Sequence, residues 1–317
     1  MNRWTKTLRK IMISLIVICL SLLLIVPFIA ISIMVNRYVD YRGYATTDYP
    51  LQDIYDAKDY GLNENQMYLE TEDGLKVWTS EIYTEQPKAV IIYLTGILQP
   101  SITYYYGHAK YMKEEGYASI LLEVRSHGRS EGNQIGLGYT EVEDVKAVVD
   151  YIRSEEKYRD VPIVIQGASM EGAIAINAFG QIGEISGLIA ASAYSSVEDQ
   201  ILEMMTLYGV PKWIQTSLEP FCKIGLTWVF GGERVEKLQP VKQIKNANGR
   251  PILLMACTGD TEVSPINMER LQSANPDAKT WLRDSWEHFI IKDCNFVDVD
   301  EDREYWNVIM SFLEDLK

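Results

Sequence analysis

The sequence predicts an α/β fold, a mostly parallel sheet with helices on both faces, preceded by one membrane-spanning helix. Two observations predict the sheet. Short apolar runs alternate along the chain with helix-like stretches, which is the pattern of strands joined by crossover helices. The runs VIIYL, SILLEV, IVIQ, LIAAS and ILLMA are continuous rather than alternating, as strands covered on both faces require. A third observation predicts the membrane helix: the 25 residues from Ile11 to Val35 carry no charge.

At 1.5 Å rise per residue a helix of that length reaches roughly 38 Å, enough to cross a hydrocarbon core of about 30 Å. A cleaved signal peptide has a shorter apolar region, about 7–15 residues, and a small-residue cleavage site. Four basic residues, Arg3, Lys6, Arg9 and Lys10, precede the segment, while Arg37 and Arg42 follow it. The positive-inside rule therefore predicts a cytoplasmic N-terminus, residues 1–10 forming a basic tail, and an extracytoplasmic C-terminal domain. A soluble domain, or one facing the cytoplasm, is the alternative.

Residues 36–65 are rich in Tyr and Asp and read as a stalk. Gln66–Thr71 and Leu75–Ile82, separated by Glu72-Asp73-Gly74, read as a hairpin, because Asp-Gly between two apolar runs is a turn signal. The alternating pattern follows. Strands are expected at Ala89–Leu94, Ala118–Val124, Pro162–Gln166, Gly187–Ser192, Pro251–Ala256 and Lys279–Arg283. Helices are expected within 102–115, at about 140–154 and 170–181, and from about 303 to 316. Residues 195–250 break the rhythm with Met204, Met205, Trp213, Phe221, Trp228 and Phe230 in helix-like surroundings. They are expected to form a cap inserted into one domain spanning residues 66–317.

Composition bounds the function. The 317 residues are 47% hydrophobic and 23% charged, ordinary for a globular chain. Residues 1–37 hold five basic residues and no acid, so residues 38–317 set 25 basic against 44 acidic side chains, a net of −19. Such a domain lacks the basic footprint of nucleic-acid binding. Its four cysteines, Cys19, Cys222, Cys257 and Cys294, have neither disulfide-framework nor metal-ligand spacing. With no phosphate-cradling glycine loop either, neither metal nor cofactor is expected.

One motif carries chemistry. The run Pro162–Gln166 leads directly into Gly167-Ala168-Ser169-Met170-Glu171-Gly172 and then a small-residue helix. A serine on a tight strand-to-helix turn projects its hydroxyl above the sheet, and the turn needs small neighbours. The usual pattern is Gly-x-Ser-x-Gly; here Glu171 occupies the fifth place and glycine comes one later. The plainer reading is a serine that caps the following helix. A serine nucleophile needs a base, and the chain has three histidines. His108 falls in the first crossover helix and His127 in a loop before the serine. His288 follows the last expected strand, the place of the base in the order Ser, acid, His. The acid belongs after Pro251–Ala256, where Asp260 is preferred because Gly259 lets the chain turn. Glu262 and Asp284 are the alternatives.

In sequence order stand Thr95-Gly96 after VIIYL, the loop Arg125-Ser126-His127-Gly128-Arg129-Ser130-Glu131-Gly132, the Ser169 turn, the Asp260 loop and His288. On these motifs residues 66–317 resemble the α/β-hydrolase superfamily, in particular the capped serine hydrolases of the serine aminopeptidase and monoglyceride-lipase-like branch. The resemblance implies a catalytic triad of Ser169, Asp260 and His288. It also implies an oxyanion hole from the backbone N–H groups of Ile97 and Met170, and an architectural role for His127. Two positions depart from the family pattern: Thr95 stands where His is usual, and Glu171 where a small residue is. A carboxylate suits a helix N-terminus, yet Glu171 also brings negative charge toward a forming oxyanion.

The expected function is membrane-anchored hydrolysis of a carboxylic ester through an acyl-enzyme, with lipid-derived esters among the candidates, since a −19 domain disfavours polyanionic substrates. A peptidase acting on short peptides uses the same residues and is the second reading. An anchored binding module that has lost catalysis is the third. Ser169 argues against a dehalogenase or epoxide hydrolase, which would place an acid there.

Overall fold

A computed structural model describes residues 3–40, 51 and 53–316. The chain starts with α1 (Arg3–Val35) and a short strand, β1 (Val39–Asp40). The hairpin is β2 (Asn65–Glu70) and β3 (Lys76–Ile82), followed by β4 (Val90–Leu94), α2 (Tyr106–Glu114), β5 (Ala118–Leu122) and the two-residue β6 (His127–Gly128). Then come α3 (Val142–Ser154), β7 (Ile163–Ala168), α4 (Met170–Gln181) and β8 (Ile185–Ala191). Four helices intervene, α5 (Val197–Leu207), α6 (Lys212–Phe230), α7 (Gly232–Lys237) and α8 (Pro240–Gln243), before β9 (Ile252–Cys257), α9 (Ile266–Ala274), β10 (Lys279–Arg283) and α10 (Arg303–Glu314).

Eight strands form one sheet in the order β10-β9-β8-β7-β4-β5-β3-β2, with β3 antiparallel to both β5 and β2 and every other pair parallel. The continuous apolar runs serve two cores. Side chains alternate across a strand, so Val90, Ile92 and Leu94 of β4 enter the core beneath α3 and α4. Ile91 and Tyr93 enter the core shared with α2 and α10. A polar residue at any of these positions would be buried without water.

The 125–132 loop is a structural clamp. Arg125 reaches Asp73 of the hairpin turn at 2.7 Å and Asp144 of α3 at 2.7 Å, and Asp144 is fully buried. Gly128 has φ +58°, and a Cβ there would stand 2.3 Å from Glu123 Oε2, so the turn excludes a side chain.

β8 and β9 are hydrogen-bonded neighbours, so α5 to α8 form an excursion from adjacent strands. Ser196 starts α5 by accepting from Asp199 N–H, an N-cap that satisfies an otherwise unpaired donor.

From Thr7 to Val35, α1 is long and apolar enough to cross a membrane, and most of its side chains are exposed. Its C-terminal end packs on the cap. Phe28 meets Trp228 edge-on at 5.7 Å, and Gly225 lets the helices close, since a Cβ there would be 2.9 Å from Ile31 Cδ1. Residues 41–50 and 52 of the expected stalk, and residues 1–2 of the basic tail, lie outside the described residues. The described remainder of the stalk packs on the body. β1 pairs in parallel with β6, Leu51, Ala57 and Leu62 are buried, and Tyr55 N–H donates to Thr103 Oγ1 at 3.0 Å.

Candidate active site

The sharp turn between β7 and α4 holds Ser169 at φ 57°, ψ −123°. This is a conformation that a non-glycine residue adopts at a cost of about 1–3 kcal/mol and only when its surroundings enforce it. The enforcement is visible. Ser169 N–H donates to Ala191 O of β8 at 2.9 Å, and its carbonyl accepts from Ala173 N–H at 3.1 Å to start α4. Close packing sets the neighbours. A Cβ on Gly167 would lie 2.6 Å from the backbone carbon of Glu171, and one on Gly172 would lie 2.8 Å from Ala193 Cβ. Glycine is therefore required at 167 and 172, which accounts for its place one residue later than usual.

The Glu171 side chain turns into the protein and is fully buried. Its Oε1 accepts from Tyr104 OH at 2.7 Å, and its Oε2 accepts from Tyr105 OH at 2.8 Å and Ala168 N–H at 3.1 Å. Burial raises its pKa to about 7, against the hydrogen bonds from Tyr104, Ala168 and Tyr105 and the charge of His288, which lower it. Neither tyrosine was singled out by the sequence, because each lies more than sixty residues away.

Beyond β9, Gly259 brings the chain against the 285–286 backbone, where a Cβ would be 3.1 Å from Ser285 O. The next side chain, Asp260, is buried. Its Oδ1 accepts from Glu262 N–H at 2.9 Å and Val263 N–H at 3.0 Å, and its Oδ2 lies 2.8 Å from His288 Nδ1. The other two acids are placed differently. Glu262 is exposed with Oε2 3.8 Å from His288 Nε2, and Asp284 is exposed and accepts from Thr258 Oγ1 at 3.0 Å. Burial opposes the protonation of His288, but the hydrogen bond and charge of Asp260, with Glu262 and Glu171 beyond, outweigh it and raise its pKa above 6.5. An imidazole held at Nδ1 by a carboxylate leaves Nε2 to exchange a proton. A cavity of about 500 Å³ opens there, lined by Glu262, Trp286, His288, Phe289 and Cys294 among others.

The structure thus joins Asp260 to His288, and sets Ser169 at the carboxyl end of β7 on the same sheet. No hydrogen bond joins Ser169 Oγ to His288 among the described residues. The loop after β4 carries Ile97. Its N–H takes part in none of the loop's backbone hydrogen bonds, and Met170, first residue of α4, has no intrahelical acceptor. Thr95 is accommodated by donating its hydroxyl to Leu122 O at 3.0 Å.

The other two histidines are structural. His127 is buried with Nδ1 2.9 Å from Arg125 O and Nε2 3.1 Å from Ile97 O, so it braces the loop that presents Ile97. His108 is buried with Nε2 3.1 Å from Tyr305 OH, and burial lowers its pKa to about 3.

Residues 85–223 match the family described as serine aminopeptidase, S33. No curated protein matches the chain in sequence. Among solved structures, an esterase of Pyrococcus furiosus is similar with a TM-score of 0.64 and 20% identity, over 83% of this chain and 96% of that one. An esterase from Exiguobacterium antarcticum gives 0.56 and 16%, over 79% of this chain and 100% of the other. The acylaminoacyl peptidase of Pyrococcus horikoshii gives 0.58 and 17%, over 81% of this chain and 42% of its own. At such identities the likeness is one of fold. The chain therefore has the α/β-hydrolase fold, and over residues 85–223 it is similar to the serine aminopeptidase, S33 family.

Proposed function

We propose that the chain is a membrane-anchored serine hydrolase that cleaves a carboxylic ester through an acyl-enzyme. The observation that carries this reading is the Asp260–His288 contact of 2.8 Å beyond the carboxyl end of β9, in the same sheet whose β7 leads into Ser169 on a strained turn. In the proposed mechanism Ser169 Oγ attacks the ester carbonyl as His288 Nε2 takes its proton, and Asp260 orients and stabilises the imidazolium. The Ile97 and Met170 N–H groups receive the oxyanion. His288 then protonates the leaving alkoxide, and water, activated by the same imidazole, hydrolyses the acyl-enzyme.

A lipid-derived ester is the favoured substrate. A groove of about 510 Å³ lies between α1 and the cap, lined by Leu22, Val26, Ile31, Ile201, Met205 and Leu218 among others, all apolar. In the proposed topology residues 1–10 are cytoplasmic, residues 11–35 form the membrane helix, and residues 66–317 lie on the far side, joined by residues 36–65, with the cap at 195–250 seated at the membrane face against the C-terminal half of the helix. Support comes from the basic residues before α1 and the exposed apolar side chains along it.

The peptidase reading is favoured by the S33 description and by the likeness to an acylaminoacyl peptidase. Nitrophenyl esters of graded chain length and aminoacyl nitroanilides, tested on the full chain in detergent with Ser169→Ala as control, separate the two. Ester turnover that disappears in Ser169→Ala is the expected result. Turnover of anilides alone supports the peptidase, and equal turnover by Ser169→Ala overturns the mechanism. Protease protection in intact cells tests the topology: a shielded C-terminal domain contradicts it.

A further inference from the structure

We propose that Glu171 is a positioning residue, a buried carboxylate that ties the loop carrying Ile97 to the turn carrying Ser169 and so fixes the separation of the two oxyanion donors. The inference rests on the proposed serine-hydrolase mechanism. One end of the tie is local: Oε2 accepts from Ala168 N–H at 3.1 Å, next to Ser169. The other end crosses to the loop after β4. Gly96 N–H, adjacent to Ile97, donates to Tyr104 OH at 3.3 Å, and Tyr104 OH donates to Glu171 Oε1 at 2.7 Å. The loop passes so close to the carboxylate that a Cβ on Gly96 would stand 2.9 Å from Oε1.

The tyrosines are themselves held. Tyr105, which donates to Oε2, stacks on Tyr93 at 4.6 Å and lies 4.8 Å from Tyr104, and Phe296 closes on both rings edge-on at 5.3 Å. All of these aromatic residues are buried. Oxyanion stabilisation depends on donors that are placed before the charge develops. A carboxylate is suited to the task because its two oxygens accept from both sides at once, whereas a carboxamide turns one acceptor into a donor.

Two variants test the proposal. Glu171→Gln keeps the side-chain size and mispairs one tyrosine. Tyr104→Phe removes only the hydroxyl that links Gly96 to the carboxylate and keeps the ring. Each is expected to lower kcat for a soluble ester by about 10- to 100-fold with KM within about twofold, the effect of one mispaired buried hydrogen bond expressed in the transition state. A boronic acid that forms a tetrahedral adduct with serine is expected to bind more weakly by the same factor. The double variant is expected to lose little more than either single one, as for residues acting through one connection. Circular dichroism and thermal melts confirm that each variant is folded. A folded Tyr104→Phe with wild-type kcat overturns the proposal, and so do losses confined to KM or fully additive losses. Undiminished turnover by Ser169→Ala would instead overturn the underlying mechanism, so the two failures are distinct.

Discussion

The carboxyl end of the sheet, with Ser169, Asp260 and His288, and the face formed by α1 and the cap are built on opposite rules. At the carboxyl end of the sheet, acidic groups are buried and held by several partners each: Asp260 by two N–H groups and His288, Glu171 by two hydroxyls and one N–H. On the other face apolar groups stand in the open, with Trp213 at 72%, Tyr208 at 80% and Trp228 at 56% exposure, beside a helix whose outward side chains from Ile11 to Ile33 are mostly apolar. The difference teaches which region sets geometry and which sets environment. A mispaired buried charge costs several kcal/mol and shifts neighbouring atoms, whereas exchanging one exposed aromatic changes stability by about 0.5 kcal/mol or less. Substitutions at the carboxyl end of the sheet should therefore change rate, and those on the cap face should change location and substrate range.

The largest expected effect is at the carboxyl end of the sheet. Asp260→Asn should lower kcat by about 10⁴-fold while the protein stays folded, because the amide favours the wrong tautomer of His288. It should also move the acid limb of the kcat/KM profile. The active histidine is neutral, and its folded-state pKa is raised, so activity appears only as pH climbs through that raised value. Removing the carboxylate removes the main raising influence and shifts the limb to lower pH. Glu262→Gln, which alters an exposed carboxylate 3.8 Å from Nε2, should shift the limb the same way by less. A limb that stays fixed in both variants would detach Asp260 from the reaction.

Next comes Arg125→Ala, which strips the fully buried Asp144 of its partner. A loss of about 3–5 kcal/mol is expected in urea unfolding, with the catalytic constants of the folded fraction near wild type. The smallest effect belongs to the cap. Trp213→Ser should leave stability and short-ester turnover unchanged within error, yet weaken flotation of the detergent-free protein with liposomes when α1 is removed. Equal flotation would make the aromatic face a solvent surface and erase the contrast.

The same contrast governs how much could be read in the sequence. The strands were legible because runs such as VIIYL have no other use than a sheet buried on both sides, and the cap was legible as an interruption between two such runs. The site was legible residue by residue where the chain itself forces the geometry, at the Gly167–Gly172 turn and at Gly259 beside Asp260. What stayed hidden depends on partners distant in sequence. Glu171 was visible as a departure from pattern, but its meaning lies in Tyr104 and Tyr105, whose spacing carries no signal. Gly259 favoured Asp260 over Glu262 and Asp284, but the burial of Asp260 and the direction of His288 Nδ1, which separate the three in space, carry no signal in the sequence. The docking of β1 on β6 was invisible because two residues are too few to make a pattern.

The central claim is that Ser169 is the nucleophile. Mass spectrometry of the full chain treated with a fluorophosphonate measures it directly, since the reagent reacts only with an activated hydroxyl. The expected result is one adduct, on the peptide containing Ser169, formed in step with loss of ester hydrolysis and absent from His288→Ala. An enzyme that keeps its activity without an adduct, or carries the adduct on another residue, would contradict it.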